Sequence, residues 1–317
     1  MPNFWKKINK PILALAPMAG YTNSAFRLIC KTYGASVVYS EMASATALNF
    51  KGKKTLKFLE FDKNERPYVV QIFGNDPKYF QNAAKVITKK IKPDGIDINM
   101  GCPAKKVFSN GSGAALMMDI EKTREIIKET IKGTDLPISI KIRSKVDNIT
   151  AYKFVKKIKD LPISAIMIHG RSLKQEFSGK IDYLQIKKVR SFVDVPVLAN
   201  GGINTPEDAA KMLKKTGAQG IGIAKGALQK PWLFFQTKEF LEKGEYQEFG
   251  LEEIKKAAIR HAKMSYKSKG KHGIVEMRKY LLWYFRGFEG AREVRKELVK
   301  VESVEDIKKV LKNFEQK

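Results

Sequence analysis

The sequence predicts an α/β fold, a (β/α)8 TIM barrel followed by a small C-terminal helical bundle. Three observations carry this expectation. Eight short runs rich in β-formers recur over the first 235 or so residues, amphipathic helical stretches separate them, and a polar or glycine residue stands at the end of each run. That length and repeat suit a closed barrel of eight βα units. An open doubly wound sheet shares the alternation, because periodicity alone does not report closure.

The expected strands are 12–16, 37–42, 68–73, 95–99, 138–142, 165–169, 196–200 and 220–224. Between them, 76–92, 120–133, 150–159 and 205–216 read as amphipathic helices. The last opens on Thr205-Pro206-Glu207-Asp208, an N-cap residue, a proline at the first helical position and early acids. After Pro231-Trp232 the strand signal stops, and 251–268, 273–287, 289–299 and 304–316 have the apolar spacing of a small bundle. The expected division is therefore a barrel domain over 1–235 and a helical domain over 236–317.

In such barrels the active site gathers where the strands end. The strand tips carry Ala16-Pro17-Met18-Ala19-Gly20, Glu41, Gln71, Asn99 with Cys102, Lys141, His169 with Arg171, Asn200-Gly201-Gly202 and Ala224-Lys225-Gly226. Each has an ordinary structural explanation when taken singly. Gln71 suits a strand cap, His169 a satisfied core histidine, and Lys141 a solvated strand end. Their common placement argues for a shared site. The Gly-Gly turn before a helix start, followed by a second turn with a cation, suits a phosphate-bearing ligand.

The segment Ile96-Asp97-Ile98-Asn99-Met100-Gly101-Cys102-Pro103 is the most informative stretch. Gly101 permits a sharp turn and Pro103 presets its own backbone, so Cys102 is held at a strand tip as a candidate nucleophile or proton donor. Only two cysteines exist. This argues against a disulfide framework or a multi-cysteine metal site, and no metal is expected. Cys30 lies in a helical pattern and reads as a buried structural thiol. No apolar run reaches the roughly 20 residues of a membrane span, and the start of the chain does not read as a signal peptide. A reduced, cytoplasmic protein, monomeric by default, is expected.

The 60 Lys and Arg against 33 Asp and Glu give a formal charge of +27. Residues 236–317 hold 20 basic and 14 acidic groups, a net +6, which leaves +21 on the barrel region. The excess is not a basic tail. It suggests a polyanionic partner, although a lysine-rich proteome would yield the same composition.

Together these residues resemble the tRNA-dihydrouridine synthases. The likeness runs through Ala16-Pro17-Met18-Ala19-Gly20-Tyr21-Thr22-Asn23, Ser40-Glu41-Met42, Val70-Gln71-Ile72-Phe73-Gly74 and Asp97-Ile98-Asn99-Met100-Gly101-Cys102-Pro103. It continues through Lys141-Ile142-Arg143, His169-Gly170-Arg171-Ser172, Ala199-Asn200-Gly201-Gly202-Ile203 and Pro231-Trp232-Leu233-Phe234. The resemblance implies a flavoenzyme with FMN across the barrel mouth, reduced by NADPH or NADH, that saturates the C5–C6 bond of a uridine in the tRNA D-loop. Carried over by position, Pro17, Met18 and Ala19 contact the flavin edge, and Gln71 and Lys141 reach its polar rim. Asn200, Gly201, Gly202, Ala224 and Lys225 hold the phosphate. Asn99, His169 and Arg171 orient uracil or flavin, and Cys102 protonates the substrate. The family usually has Gly-Arg where this chain has Ala224-Lys225, and Lys lacks the bidentate fork of Arg, which bears on FMN affinity.

Transfer to uracil C6 builds negative charge on a carbonyl and basicity at C5, which needs an acid on the face opposite the flavin. A thiol on a strand-tip loop can supply it. The resemblance further implies that the C-terminal helices help to clamp tRNA. Lys105, Lys106 and Arg171 are then expected beside the pocket, and Arg278 and Lys279 on RNA phosphates. Trp283 and Phe288, at helical spacing, read as core. Alternatives from other classes are a small-molecule flavin enzyme resembling dihydroorotate dehydrogenase, a Schiff-base aldolase using Lys141, and a non-catalytic tRNA-binding barrel.

Overall fold

Runs of branched apolar residues with small or polar residues between them make strands whose two faces bury different things. The computed structural model describes residues 3–50 and 52–314. Its barrel strands are β1 (Ile12–Leu15), β2 (Val37–Tyr39), β3 (Tyr68–Phe73), β4 (Gly95–Met100), β5 (Ile138–Arg143), β6 (Ala165–His169), β7 (Val197–Asn200) and β8 (Gly220–Ile223). All eight pair in parallel with their sequence neighbours, and β8 returns to β1, which closes the barrel. The open sheet is thereby excluded.

Alternate residues point into the lumen. One cluster gathers Ile12, Ala14 and Ala16 with Val37, Tyr39, Val69, Ala165, Met167, Leu198 and Trp5, which packs on it from the short helix Phe4–Lys6. The outward-facing residues join the surrounding helices in a second, larger core. Toward the C-terminal strand ends the inward positions turn polar. Gln71 stands level with Asp97 and Asp97 with Ser139; Asn99 is level with Lys141, and His169 with Asn200.

The surrounding helices include α1 (Ser24–Thr32), α2 (Pro77–Val86), α3 (Ile120–Lys132), α4 (Ala151–Lys156), α5 (Tyr183–Arg190) and α6 (Pro206–Thr216). Thr205 and Asp208 form a capping box at the start of α6, with Pro206 in its first turn. Several boundaries differ from expectation by a few residues. The second strand stops at Tyr39, so Glu41 lies in the following loop, where its carboxylate accepts the Gly20 N–H. A small hairpin pairs Lys145–Val146 with Ile149–Thr150 after β5.

Helix α7 (Leu233–Lys243) runs through position 235 and was not foreseen. Next comes α8 (Leu251–Tyr284), broken at Gly270, whose φ of 58° turns it into a helical hairpin. The two arms are tightly apposed: a β-carbon on Gly273 would lie 2.0 Å from the Ser265 carbonyl oxygen. Helices α9 (Ala291–Leu298) and α10 (Val304–Lys312) complete the bundle; residues 315 and 316 of the last expected helix lie outside the described residues. The second arm of α8 packs on α1 and the loop before it. Phe26 stacks on Tyr280 with centroids 5.2 Å apart, Tyr280 donates its hydroxyl to the Tyr21 carbonyl, and Asn23 donates to Glu276 at 3.1 Å. No helix among the described residues is long and apolar enough to cross a membrane.

Candidate active site

A cleft of about 580 Å³ opens at the C-terminal mouth of the barrel. All twelve residues expected to bind cofactor line it: Pro17, Met18, Ala19, Gln71, Asn99, Lys141, His169, Asn200, Gly201, Gly202, Ala224 and Lys225. Cys102 and Arg171 line it too.

The Cys102 loop is fastened on several sides. Asn99 Oδ1 accepts the backbone N–H groups of Gly101 at 3.1 Å and Cys102 at 2.9 Å, and the Cys102 carbonyl accepts from Ala114 N at 3.1 Å. Arg143 Nε donates to the Gly101 carbonyl at 2.8 Å, and its Nη1 reaches the carbonyls of Ser172 and Glu176, both at 2.9 Å. The thiol is partly exposed, whereas Cys30 is fully buried, and burial pushes its thiol well up.

Beneath the cleft lies a polar layer. Asp97, fully buried, accepts Gln71 Nε2 at 2.7 Å and Ser139 Oγ at 2.7 Å. Burial raises its carboxyl to about 6 against those two hydrogen bonds and the Lys141 charge. Lys141 Nζ donates to Asn200 Oδ1 at 3.2 Å, and Asn200 Nδ2 to the Gly222 carbonyl at 2.7 Å. Burial and the neighbouring Arg143 lower the Lys141 ammonium to about 8. His169 is held neutral, lowered to about 2 by burial and by Lys141, Arg143, Arg171 and Lys225. Those four cations line the cleft, and no Asp or Glu does among the described residues. The cleft is built for an anion.

Its far end is a backbone cradle. Gly201 and Gly202 have φ of 110° and 68°, a region that favours glycine, and the Gly201 α-carbon faces His169 closely. Arg171 Nε bonds the Gly179 carbonyl at 2.9 Å, and its Nη2 lies 3.6 Å from where a β-carbon on Gly202 would stand. The guanidinium is thus beside the glycine turn as well as the mouth. Ala224 has φ of −120° and ψ of −100°, outside the left-handed region that favours glycine. Lys225 Nζ sits 4.0 Å from the Phe177 ring centroid.

Other expectations fare differently. Lys105 and Lys106 are exposed on the short helix Lys105–Phe108 just past Cys102, outside the cleft. Arg278 turns inward, its Nε donating to the Val301 carbonyl at 2.9 Å. Lys279 is also committed within the chain: its ammonium bonds the Gly20 carbonyl and lies 5.2 Å from the Tyr21 ring centroid. Trp283 and Phe288 both pack against the core as their spacing suggests, and Trp283 also lines the cleft. Reading the sequence also missed Tyr21, Met42, Arg143 and Phe177 as lining residues. Arg143 was within reach, since it follows Lys141 by two on the same strand.

The family model for dihydrouridine synthase (Dus) matches residues 14–317, almost the whole chain. The chain belongs to the dihydrouridine synthase family. It is similar to tRNA-dihydrouridine synthase B of Pseudomonas aeruginosa, 34% identical over 287 residues covering 89% of this chain and 86% of the relative. It is also similar to a probable tRNA-dihydrouridine synthase of Aquifex aeolicus, 33% identical over 300 residues and 93% of each chain. Among solved structures, an old yellow enzyme homologue from Zymomonas mobilis aligns with TM-score 0.54 at 12% identity, over 76% of this chain and 91% of that one. Histamine dehydrogenase from Rhizobium sp. 4-9 aligns with TM-score 0.57 at 14% identity, over 80% and 49%. These likenesses share the fold. Dihydrouridine synthases are flavin-dependent oxidoreductases, and this member has the features a flavin requires: a cation-lined cleft, a polar rim at Gln71 and Lys141, and a side-chain-free cradle at Gly201 and Gly202.

Proposed function

We propose that this chain reduces the C5–C6 double bond of a uridine in the D-loop of tRNA, with FMN as the flavin and NADPH or NADH as the reductant. The observation that carries this reading is the convergence of Cys102, Lys141 and the Gly201–Gly202 turn on one cation-lined cleft.

Gly201, Gly202, Ala224 and Lys225 would hold the FMN phosphate, with Arg171 adjoining; Pro17, Met18 and Ala19 would face the ring edge, and Gln71, Asn99, Lys141 and His169 its polar rim. When bound, the flavin supplies the electron pair that saturates the uracil ring. The remaining work belongs to the side chains. Neutral His169 can orient a carbonyl or ring nitrogen but has no spare proton at neutral pH. Cys102 is the proton donor to uracil C5, aimed by the fixed loop around it. Lys141, charged below about pH 8, stabilises negative charge as it develops in the cleft. Tyr21, Phe177 and Trp283 give the walls an aromatic character suited to a base turned out of its stack. Lys105 and Lys106, exposed beside the Cys102 loop, would meet phosphates of the incoming RNA.

The test is an absorbance spectrum of the purified protein, followed by NADPH and then unmodified tRNA. A flavin band that bleaches with NADPH and returns with unmodified but not dihydrouridine-containing tRNA is expected. Protein that stays colourless after FMN is added defeats the proposal.

A further inference from the structure

The hydrogen-bond chain beneath the cleft has its direction fixed at both ends. The backbone amides of Gly101 and Cys102 can only donate, so Asn99 must turn Oδ1 toward them. Its Nδ2 then donates to Gln71 Oε1 at 2.9 Å. Gln71 must accordingly direct Nε2 downward, where it meets Asp97 Oδ2 at 2.7 Å. At that end an ionised carboxylate can only accept, and its second oxygen takes Ser139 Oγ at 2.7 Å. Either side-chain amide could be turned over in isolation. Here both carry one direction of donation from the catalytic loop to the barrel interior.

Asp97 itself is fully buried and does not line the cleft. A buried carboxylate without a directly bonded cation is an unfavourable choice for stability alone, where an apolar residue of similar size would serve better. We infer that Asp97 is a positioning residue: an acceptor-only group that sets the orientation of the Gln71 and Asn99 amides and through them holds the Cys102 loop. The inference rests on Cys102 being the proton donor of the proposed reaction. Its consequence reaches the cleft floor as well, because the amide edges that Gln71 and Asn99 turn toward a ligand are decided from below.

The experiment reads the loop directly, without flavin or tRNA. Cys30 is 0% exposed, so iodoacetamide alkylation of the folded protein, followed by intact mass, reports Cys102. Asp97→Leu is expected to raise the alkylation rate about tenfold, as is Gln71→Met, and the double variant no more than either, since both break one chain. Asp97→Asn keeps an acceptor for Gln71 and can offer its amide to Ser139, so its rate is expected within about twofold of the parent. A second variant decides the matter if Asp97→Leu does not fold. Asp97→Ala removes the acceptor with a smaller side chain and is expected to raise the rate about tenfold, whereas Ser139→Ala leaves the carboxylate acceptor-only and the rate near the parent's. An unchanged rate in Asp97→Leu or Asp97→Ala, or additive effects in the double variant with Gln71→Met, overturns the inference. None of these results depends on flavin bleaching or tRNA reoxidation, so this failure and failure of the proposed reaction are distinguishable.

Discussion

A β-carbon on Gly201 would lie 2.5 Å from Cδ2 of His169. The backbone of the seventh strand's tip and the imidazole of the sixth therefore occupy one tight layer, and the φ of 110° at Gly201 makes any side chain strained whatever the space. Gly201→Ala is expected to destabilise the fold by about 1–3 kcal/mol and to weaken FMN binding at least about tenfold, by pushing His169 into the cleft. Gly217→Ala is the control. Its φ is 64°, yet nothing lies within 4 Å of the added carbon, so it shares the backbone strain and should leave FMN affinity alone. Equal losses of FMN affinity in the two variants would refute the steric account.

Two histidines are buried neutral, His169 lowered to about 2 and His261 to about 3, both chiefly by burial. In the unfolded chain each takes a proton near its ordinary value of 6.5, so stability is lost as pH falls below that point. Each contributes about 1.4 kcal/mol per pH unit at most. Asp97 acts oppositely: raised from 3.8 to about 6, it binds its proton in the folded state first and adds stability as pH falls through that window. Between about pH 6 and 4 these three groups leave a net slope close to that of one histidine. Urea midpoints from pH 7 to 4.5 should show it. His261→Phe should flatten the slope and Asp97→Asn should steepen it; parallel curves for all three proteins would contradict this assignment.

The strands and the cleft residues were legible because both obey short periods. Branched apolar runs name the strands, and alternation places Gln71, Asn99, Lys141, His169 and Asn200 on the lumen side toward the C-terminal strand ends. Thr205-Pro206 was legible from cap chemistry, and the break near Gly270 from the gap between the expected helices 251–268 and 273–287. What could not be read depends on partners distant in sequence. Trp283 has the spacing of a core residue and packs against the core, but it also lines the cleft, which spacing along one helix does not show. Lys279 looks like a free surface cation until the Gly20 carbonyl, 259 residues away, is brought to it. Arg278 likewise meets the carbonyls of Val301 and Lys300 where the next helix ends.

Lys141 gives the cleft a titratable charge. Burial first, then Arg143, lowers it from 10.5 to about 8, while Asp97 and Cys102 oppose the shift. Below about pH 8 the cleft therefore holds an ammonium, and above it a neutral amine. FMN, an anion, should bind progressively more weakly as pH rises from 7 to 9, by about tenfold in all. Fluorescence-quench titrations would give the affinities. In Lys141→Met the bend near 8 should vanish, and a bend that survives the substitution would assign the titration elsewhere.

The Lys279 ammonium bonds the Gly20 carbonyl and lies 5.2 Å and 5.1 Å from the ring centroids of Tyr21 and Tyr280. Beside it Tyr280 bonds the Tyr21 carbonyl, and Glu276 bonds Asn23. One helix face thus grips the loop that continues from Pro17, Met18 and Ala19. A tether and an RNA contact make opposite predictions here. A lysine that neutralises a phosphate lowers the salt dependence of tRNA binding by nearly one unit of slope when removed. A tether leaves that slope alone and destabilises the fold, by about 1–2 kcal/mol for a charge-assisted bond at a half-exposed site. Lys279→Met is expected to follow the second pattern, read by urea unfolding and by tRNA binding between 50 and 200 mM salt. Lys105→Ala with Lys106→Ala should follow the first, because both ammonium groups are exposed next to the Cys102 loop. A reduced slope with unchanged stability in Lys279→Met would return that residue to the RNA surface.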